Sequence, residues 1–225
     1  MTNYSYLINY LNERKVKLVA VSKTQPASAI LEIYNAGQHI FGENRVQEII
    51  EKHPLLPDDI EWHLIGHLQT NKVKSVIRIV KLIQSVDSFK LLREINKEAK
   101  KINRVVDVLL QIHIAHEETK FGFNYGEAKE ILMDGDLRNM KHIFIRGFMG
   151  IATFTDDADQ VRKEFRELNN FYRLSAQYKG SNFNPDILSM GMSGDYEIAV
   201  DEGSTMVRIG SLIFGKRENK AGGTN

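Results

Sequence analysis

A lysine closes the stretch Leu18-Val19-Ala20-Val21-Ser22-Lys23, and Thr24-Gln25-Pro26 follow at once. Four consecutive apolar residues, two of them β-branched, predict a strand buried on both faces. The next segment has helical apolar spacing, with Pro26 in its first turn and Gly37 as its stop. Lys23 therefore falls where a parallel strand hands over to a helix, the edge at which α/β sheets bind ligands. Its chemistry there would be that of an amine nucleophile, able to form a Schiff base if burial and nearby positive charge favour its neutral form. Taken alone, the stretch favours a simpler reading, a strand end solvated by a lysine.

Two later motifs change that balance. Ser189-Met190-Gly191-Met192-Ser193-Gly194 precedes Asp195-Tyr196-Glu197, and Arg208-Ile209-Gly210-Ser211 opens the last short helical segment. Ser193 stands where a helix N-cap is expected, so capping is its plain role. Gly210 and Ser211 would present free amides at a helix start, and glycines at 191, 194 and 210 let the backbone approach a ligand. Arg208 lies on a strand, opposite in face to Val207 and Ile209. It points either into a barrel mouth or outward, where Asp186 or Glu197 would pair with it. An amine, a phosphate cradle and a fixed cation for a ring nitrogen or carboxylate together suit pyridoxal 5′-phosphate (PLP), which carries an aldehyde and a phosphate.

Positioning these groups at one sheet edge requires repeated strand–helix alternation, and the chain supplies it. Strands are predicted at 18–22, 40–42, 61–65, 82–86, 105–114, 142–149, 187–190 and 206–209. Helices are predicted at 27–36, 46–52, 70–79, 88–101, 125–133, 158–178, 196–202 and 212–214. A leading amphipathic helix at 4–13 should bury Tyr6, Leu7, Tyr10 and Leu11. Eight units in 225 residues predict a single (β/α)₈ TIM barrel spanning 1–217, with a flexible tail at 218–225. An open doubly wound sheet is the weaker choice, since no Gly-x-Gly-x-x-Gly turn follows the first strand.

With 30 basic and 29 acidic residues the net charge is +1, which gives no general pull toward nucleic acid or membrane. The absence of cysteine excludes disulfides and thiolate chemistry. No apolar run approaches the ~20 residues of a membrane span, and the N-terminus lacks a signal-peptide pattern, so a cytoplasmic monomer is expected. His63 and His67 flank Gly66, and His113 and His116 have no third partner, so no metal site is expected. Glu117-Glu118 reads as a solvated loop, and Phe121, Phe123 and Tyr125 read as packing. Arg146 is placed near the mouth, where strand six opens into Gly147-Phe148-Met149-Gly150.

Five motifs carry a resemblance: Ala20-Val21-Ser22-Lys23-Thr24, Phe41-Gly42-Glu43-Asn44, Trp62-His63-Leu64-Ile65-Gly66, Ser189-Met190-Gly191-Met192-Ser193 and Gly203-Ser204-Thr205-Met206-Val207-Arg208-Ile209-Gly210. In this order, over about 18–217, the chain resembles the YggS/PROSC family of pyridoxal phosphate homeostasis proteins. The resemblance implies an alanine racemase N-terminal domain-like barrel with PLP held as an aldimine on Lys23. It implies a phosphate site at Ser193, Gly210 and Ser211, with Ile209 beside it, and Arg208 facing the pyridine nitrogen. Asn44 and His63 match positions lining that family's pocket. His67 stands where the family usually has proline, and the leading helix is shorter than usual.

Two functions of different class follow. A homeostasis protein would hold PLP reversibly and buffer it or deliver it to apo-enzymes that use it. A racemase-like enzyme would need a second base on the opposite face, which in racemases comes, by the resemblance, from a C-terminal domain for which little chain remains after Arg217. Tyr125 and His63 are the nearby candidates for that base. A cation at the ring nitrogen also weakens the cofactor as an electron sink, so the carrier is favoured. Without the resemblance, a sugar-phosphate aldolase or lyase on the same barrel using Lys23 would be plausible from the sequence.

Overall fold

The computed structural model describes residues 2–115 and 121–215. The expected tail at 218–225, His116 and the Glu117-Glu118 pair lie outside the described residues.

Eight parallel strands close into a barrel in sequence order. They are β1 (Lys17–Val21), β2 (Ile40–Glu43), β3 (Glu61–Leu64), β4 (Leu82–Val86), β5 (Val106–Ile112), β6 (Ile143–Gly150), β7 (Phe183–Ser189) and β8 (Met206–Ile209). Closure is made by β1 pairing with β8, Val19 beside Arg208 and Ala20 beside Ile209, while its other edge pairs with β2. The helices are α1 (Thr2–Glu13), α2 (Ala27–Asn35), α3 (Val46–Lys52), α4 (Val73–Val76), α5 (Phe89–Lys101), α6 (Tyr125–Met133), α7 (Gly135–Arg138), α8 (Ala158–Ser175), α9 (Tyr196–Asp201) and α10 (Ser211–Phe214). The fold is that of the expected TIM barrel with a leading helix.

Alternation along each strand separates two apolar regions. Inward residues Val19, Leu82, Leu109, Met149, Ile187 and Met206 pack together as the floor of the barrel. Outward residues such as Phe41, Leu64, Ile83 and Ile209 pack with the inner faces of the helices. Phe41, Trp62, Phe148, Phe165 and Phe183 are fully buried, each worth roughly 2–3 kcal/mol of apolar burial.

Four local expectations are corrected. Tyr6 is 67% exposed, and Tyr4 takes the buried place on α1, its hydroxyl donating to Gln38 Oε1. The segment at 70–79 is a 3₁₀ turn, Thr70–Lys72, followed by the four-residue α4, because Val73, Val76, Ile77 and Ile79 crowd a helix with β-branched side chains. Strand β7 begins at Phe183, earlier than expected, since Asn184-Pro185-Asp186 looks like a turn. Pro185 is tolerated because the β6–β7 register shifts between Ile145 and Gly147, a bulge where it owes no ladder hydrogen bond. Gly147 is required there: its φ is +140° and a Cβ would stand 2.0 Å from the Ile187 carbonyl oxygen. Arg146, lastly, is not at the mouth. It lies within β6, bonded to Asp107 (2.8 Å) and to Asp186, which removes Asp186 as a partner for Arg208.

Candidate functional site

The C-terminal ends of the strands enclose a cavity of about 510 Å³, within the size range of small-molecule sites. Lys23, Asn44, Ser193, Arg208, Gly210 and Ser211 all line it, so six of the eight expected residues meet in one place. Lys23 enters from the turn after β1, Asn44 from the end of β2, and Arg208 from β8. Ser193 comes from the segment after β7, and Gly210 and Ser211 open α10.

Arg208 settles the choice that strand alternation left open: it points inward and is 4% exposed. Its Nη1 donates to the Ser189 carbonyl (2.9 Å) and hydroxyl (2.8 Å), and its Nη2 to the Gly150 carbonyl (2.9 Å). Among the described residues no carboxylate forms an ion pair with it; Asp195 acts only from a distance. Burial lowers its pKa to about 10, so it remains cationic at neutral pH. A buried cation held only by neutral acceptors at a cavity wall is matched to an electron-rich ligand group.

Ser193 does not cap α9. The N-cap is Asp195, whose carboxylate accepts from the Met192 amide at 2.5 Å. The Ser193 hydroxyl instead meets the Gly210 amide across the mouth at 3.4 Å, a long contact that leaves both groups available to an anion. Gly191 shapes the loop, with φ +98° and no room for a Cβ against Ala199.

The other two expected residues do not line the cavity. Ile209 is fully buried and packs outward against the helices. His63 lies beneath the cavity, inside the barrel, where its Nδ1 accepts from the Gln84 side-chain amide at 3.0 Å. Burial, with help from Lys17 and Lys81, holds its pKa at about 3, and the ring is neutral. Gln84 Oε1 in turn accepts from the Ser189 hydroxyl at 2.6 Å, so His63 reaches Arg208 through two side chains. Tyr125 packs against Phe171 with ring centroids 5.1 Å apart and is likewise away from the cavity.

Sequence reasoning missed several lining residues: Gln25, Ile151, Phe154, Met192 and Phe214. Phe154 is 96% exposed at the rim, and nothing in its sequence context separates it from a packing aromatic. A second cavity of about 290 Å³ adjoins the first through Asn44, Ile65 and Ile151. His67 borders it, bonded to Asp87 at 2.6 Å and stacked on Phe121 at 4.1 Å between centroids. Among the described residues no three His, Asp or Glu side chains converge on a point, and no helix is long and apolar enough to cross a membrane.

The family model for the alanine racemase N-terminal domain matches residues 1–218. A pyridoxal phosphate homeostasis protein of Aquifex aeolicus is 44% identical over 209 residues, covering 92% of this chain and 89% of its own. One from Schizosaccharomyces pombe is 36% identical, covering 92% and 86%. The structure of PipY from Synechococcus elongatus with PLP bound superposes with a TM-score of 0.85 at 35% identity, covering 95% of this chain and 99% of that one. An alanine racemase of Clostridium difficile shares the fold at 18% identity and TM-score 0.71, this chain spanning 57% of it.

Proposed function

The chain belongs to the pyridoxal phosphate homeostasis protein family, built on the alanine racemase N-terminal domain, and on that premise we propose that it binds PLP reversibly and buffers or delivers it. The observation that carries this reading is the convergence of Lys23, Arg208 and the Ser193–Gly210 pair on one cavity of about 510 Å³. When bound, the cofactor supplies an aldehyde, a dianionic phosphate and a pyridine ring. Lys23 Nζ is the amine that forms a Schiff base with the aldehyde, losing water. The Ser193 hydroxyl and the amides of Gly210 and Ser211 donate to the phosphate. Arg208 donates to the ring nitrogen, and Asn44 borders the ring from the β2 side.

A carrier is favoured over a racemase-like enzyme by two features of the site. A donor as basic as Arg208 leaves the ring nitrogen unprotonated, which raises the energy of any carbanion formed beside it. The two side chains considered as second bases, His63 and Tyr125, stand outside the cavity. The recipients would be apo-enzymes that use PLP, and the chain would work as a monomer in the cytoplasm. The test is an absorbance spectrum of the protein with PLP, then borohydride reduction and peptide mapping. A visible imine band and a pyridoxyl mass on the Lys23 peptide are expected. A label found on Lys72 instead would reject the assignment.

A further inference from the structure

The turn that carries Lys23 is held in an unfavourable shape. Gln25 N–H donates to the Ser22 carbonyl at 3.0 Å and closes a four-residue turn with Lys23 and Thr24 at its centre. Thr24 has φ +66°, a left-handed conformation that such turns normally give to glycine or asparagine. A β-branched residue resists it, so something outside the turn must hold it.

The holding groups come from β2 and α3. Lys52 Nζ donates to the Ser22 carbonyl (2.9 Å), Glu43 Oε1 (2.7 Å) and Glu48 Oε2 (2.7 Å), using all three of its hydrogens. Glu48 Oε2 also accepts the Thr24 amide at 2.7 Å, and Glu43 Oε1 accepts the Ser22 hydroxyl at 2.6 Å. The Ser22 carbonyl belongs to the peptide group before the Lys23 Cα, and the Thr24 amide to the one after it. Both peptide planes that flank Lys23 are therefore gripped by α3 side chains, which fixes the direction of its Cα–Cβ bond.

We propose that Glu43, Lys52 and Glu48 form an aiming device for Lys23, positioning its amine toward the bound aldehyde; this rests on the reading of Lys23 as the Schiff-base residue. Stability alone accounts poorly for the cluster. Glu43 is fully buried and its Oε2 has no hydrogen-bond partner, a cost that a hydrophobic residue would avoid. Burial pushes Glu43 up to about 7 despite Lys52 and Ser22, whereas Lys52 and the Thr24 amide overcome the burial of Glu48 and hold it low. Backbone strain at Thr24 and an unpartnered buried oxygen on Glu43, gathered behind one reactive side chain, fit a functional constraint.

The test separates aiming from folding and from binding. Wild type, Glu48→Ala and the milder Glu48→Gln are compared for the rate of imine formation with PLP. Affinity is measured in parallel for pyridoxine 5′-phosphate, whose alcohol cannot form an imine. Glu48→Ala is expected to slow imine formation at least about tenfold while binding the alcohol analogue as wild type does. Glu48→Gln, which still accepts the Thr24 amide, should recover most of the rate. An unchanged rate in Glu48→Ala overturns the proposal, as does an equal loss of imine formation and analogue binding, which marks a structural role. If Glu48→Ala does not fold, a Glu48→Gln rate and analogue affinity reduced in parallel have the same meaning. A wild type that forms no imine on Lys23 overturns the functional reading and this proposal together. A wild type that labels at Lys23, with variants that behave alike, overturns this proposal alone.

Discussion

Replacing Arg208 with methionine should separate what the cation does for folding from what it does for the ligand. Holding the guanidinium at about 10 where its ordinary value is 12.5 costs the fold about 3 kcal/mol. Methionine relieves that cost and fills much of the same volume. It forfeits three hydrogen bonds, to the Ser189 carbonyl and hydroxyl and to the Gly150 carbonyl, worth about 1 kcal/mol each. The two effects nearly cancel, so Arg208→Met should change ligand-free stability by less than about 1.5 kcal/mol. PLP affinity has no such compensation. Loss of one charge-assisted hydrogen bond, about 1.5–3 kcal/mol, predicts a fall of roughly ten- to a hundredfold. Urea unfolding followed through Trp62, the single tryptophan and fully buried, reads stability. A PLP titration of the same variant reads affinity. A loss of more than about 3 kcal/mol without ligand, or an unchanged affinity, would refute the reasoning.

Further outcomes follow from the same site. Lys23→Ala should still bind PLP, more weakly and without the imine band, because amides and a hydroxyl on a dianion supply most of the affinity. Ser193→Ala should weaken binding about tenfold, and equal indifference of affinity to both changes would disprove the cradle. His63, ordinarily near 6.5 and held at about 3 in the fold, makes the folded state lose stability as pH falls from 6.5 toward 3, on the order of 4 kcal/mol. Glu43 acts oppositely: raised from 4.5 to about 7, its contribution is complete below 4.5 and is lost as pH rises through 7. Subtracting the stability curve of His63→Gln from that of wild type should isolate the first trend, and a pH-independent difference would count against it. Incubation of the PLP-loaded protein with amino acids in deuterated water should give at most slow exchange at the α-carbon. Rapid exchange abolished by Lys23→Ala would favour the racemase-like reading.

Legibility in the sequence tracked how local each determinant is. Strands β4 and β8 appear at the expected boundaries because each short stretch, although interrupted by Gln84-Ser85 or by Arg208, is bounded by Lys81 and Asp87 or by Thr205 and Gly210. Helix α7 was missed because Asp134-Gly135-Asp136 looks like a turn, although Asp134 caps it by accepting from the Asp136 amide. The cavity residues contributed by Lys23, Ser193 and Gly210 were legible, since each sits where a strand meets a helix. The inward direction of Arg208 was not: alternation gives two faces and only the closed sheet says which is inside. Glu43 stood out only within the Phe41-Gly42-Glu43-Asn44 motif, and Lys52 only as the last residue of the helix expected at 46–52. Their burial depends on how α3 lies over β1 and β2, and no residue spacing encodes that.

The chain of side chains under the cavity has a direction. Arg208 gives a hydrogen to Ser189, Ser189 gives one to Gln84, and the Gln84 amide gives one to His63. Ser189 and Gln84 each receive on one side and donate on the other, so the Gln84 amide can turn over only if the Ser189 hydroxyl and the His63 tautomer reverse their roles with it. A single replacement at Gln84 or Ser189 therefore leaves a mismatched neighbour in a water-poor interior. Drift at these positions is then coupled: a chain that keeps the arginine can exchange the serine, glutamine and histidine only as a set, with each partner's polarity preserved.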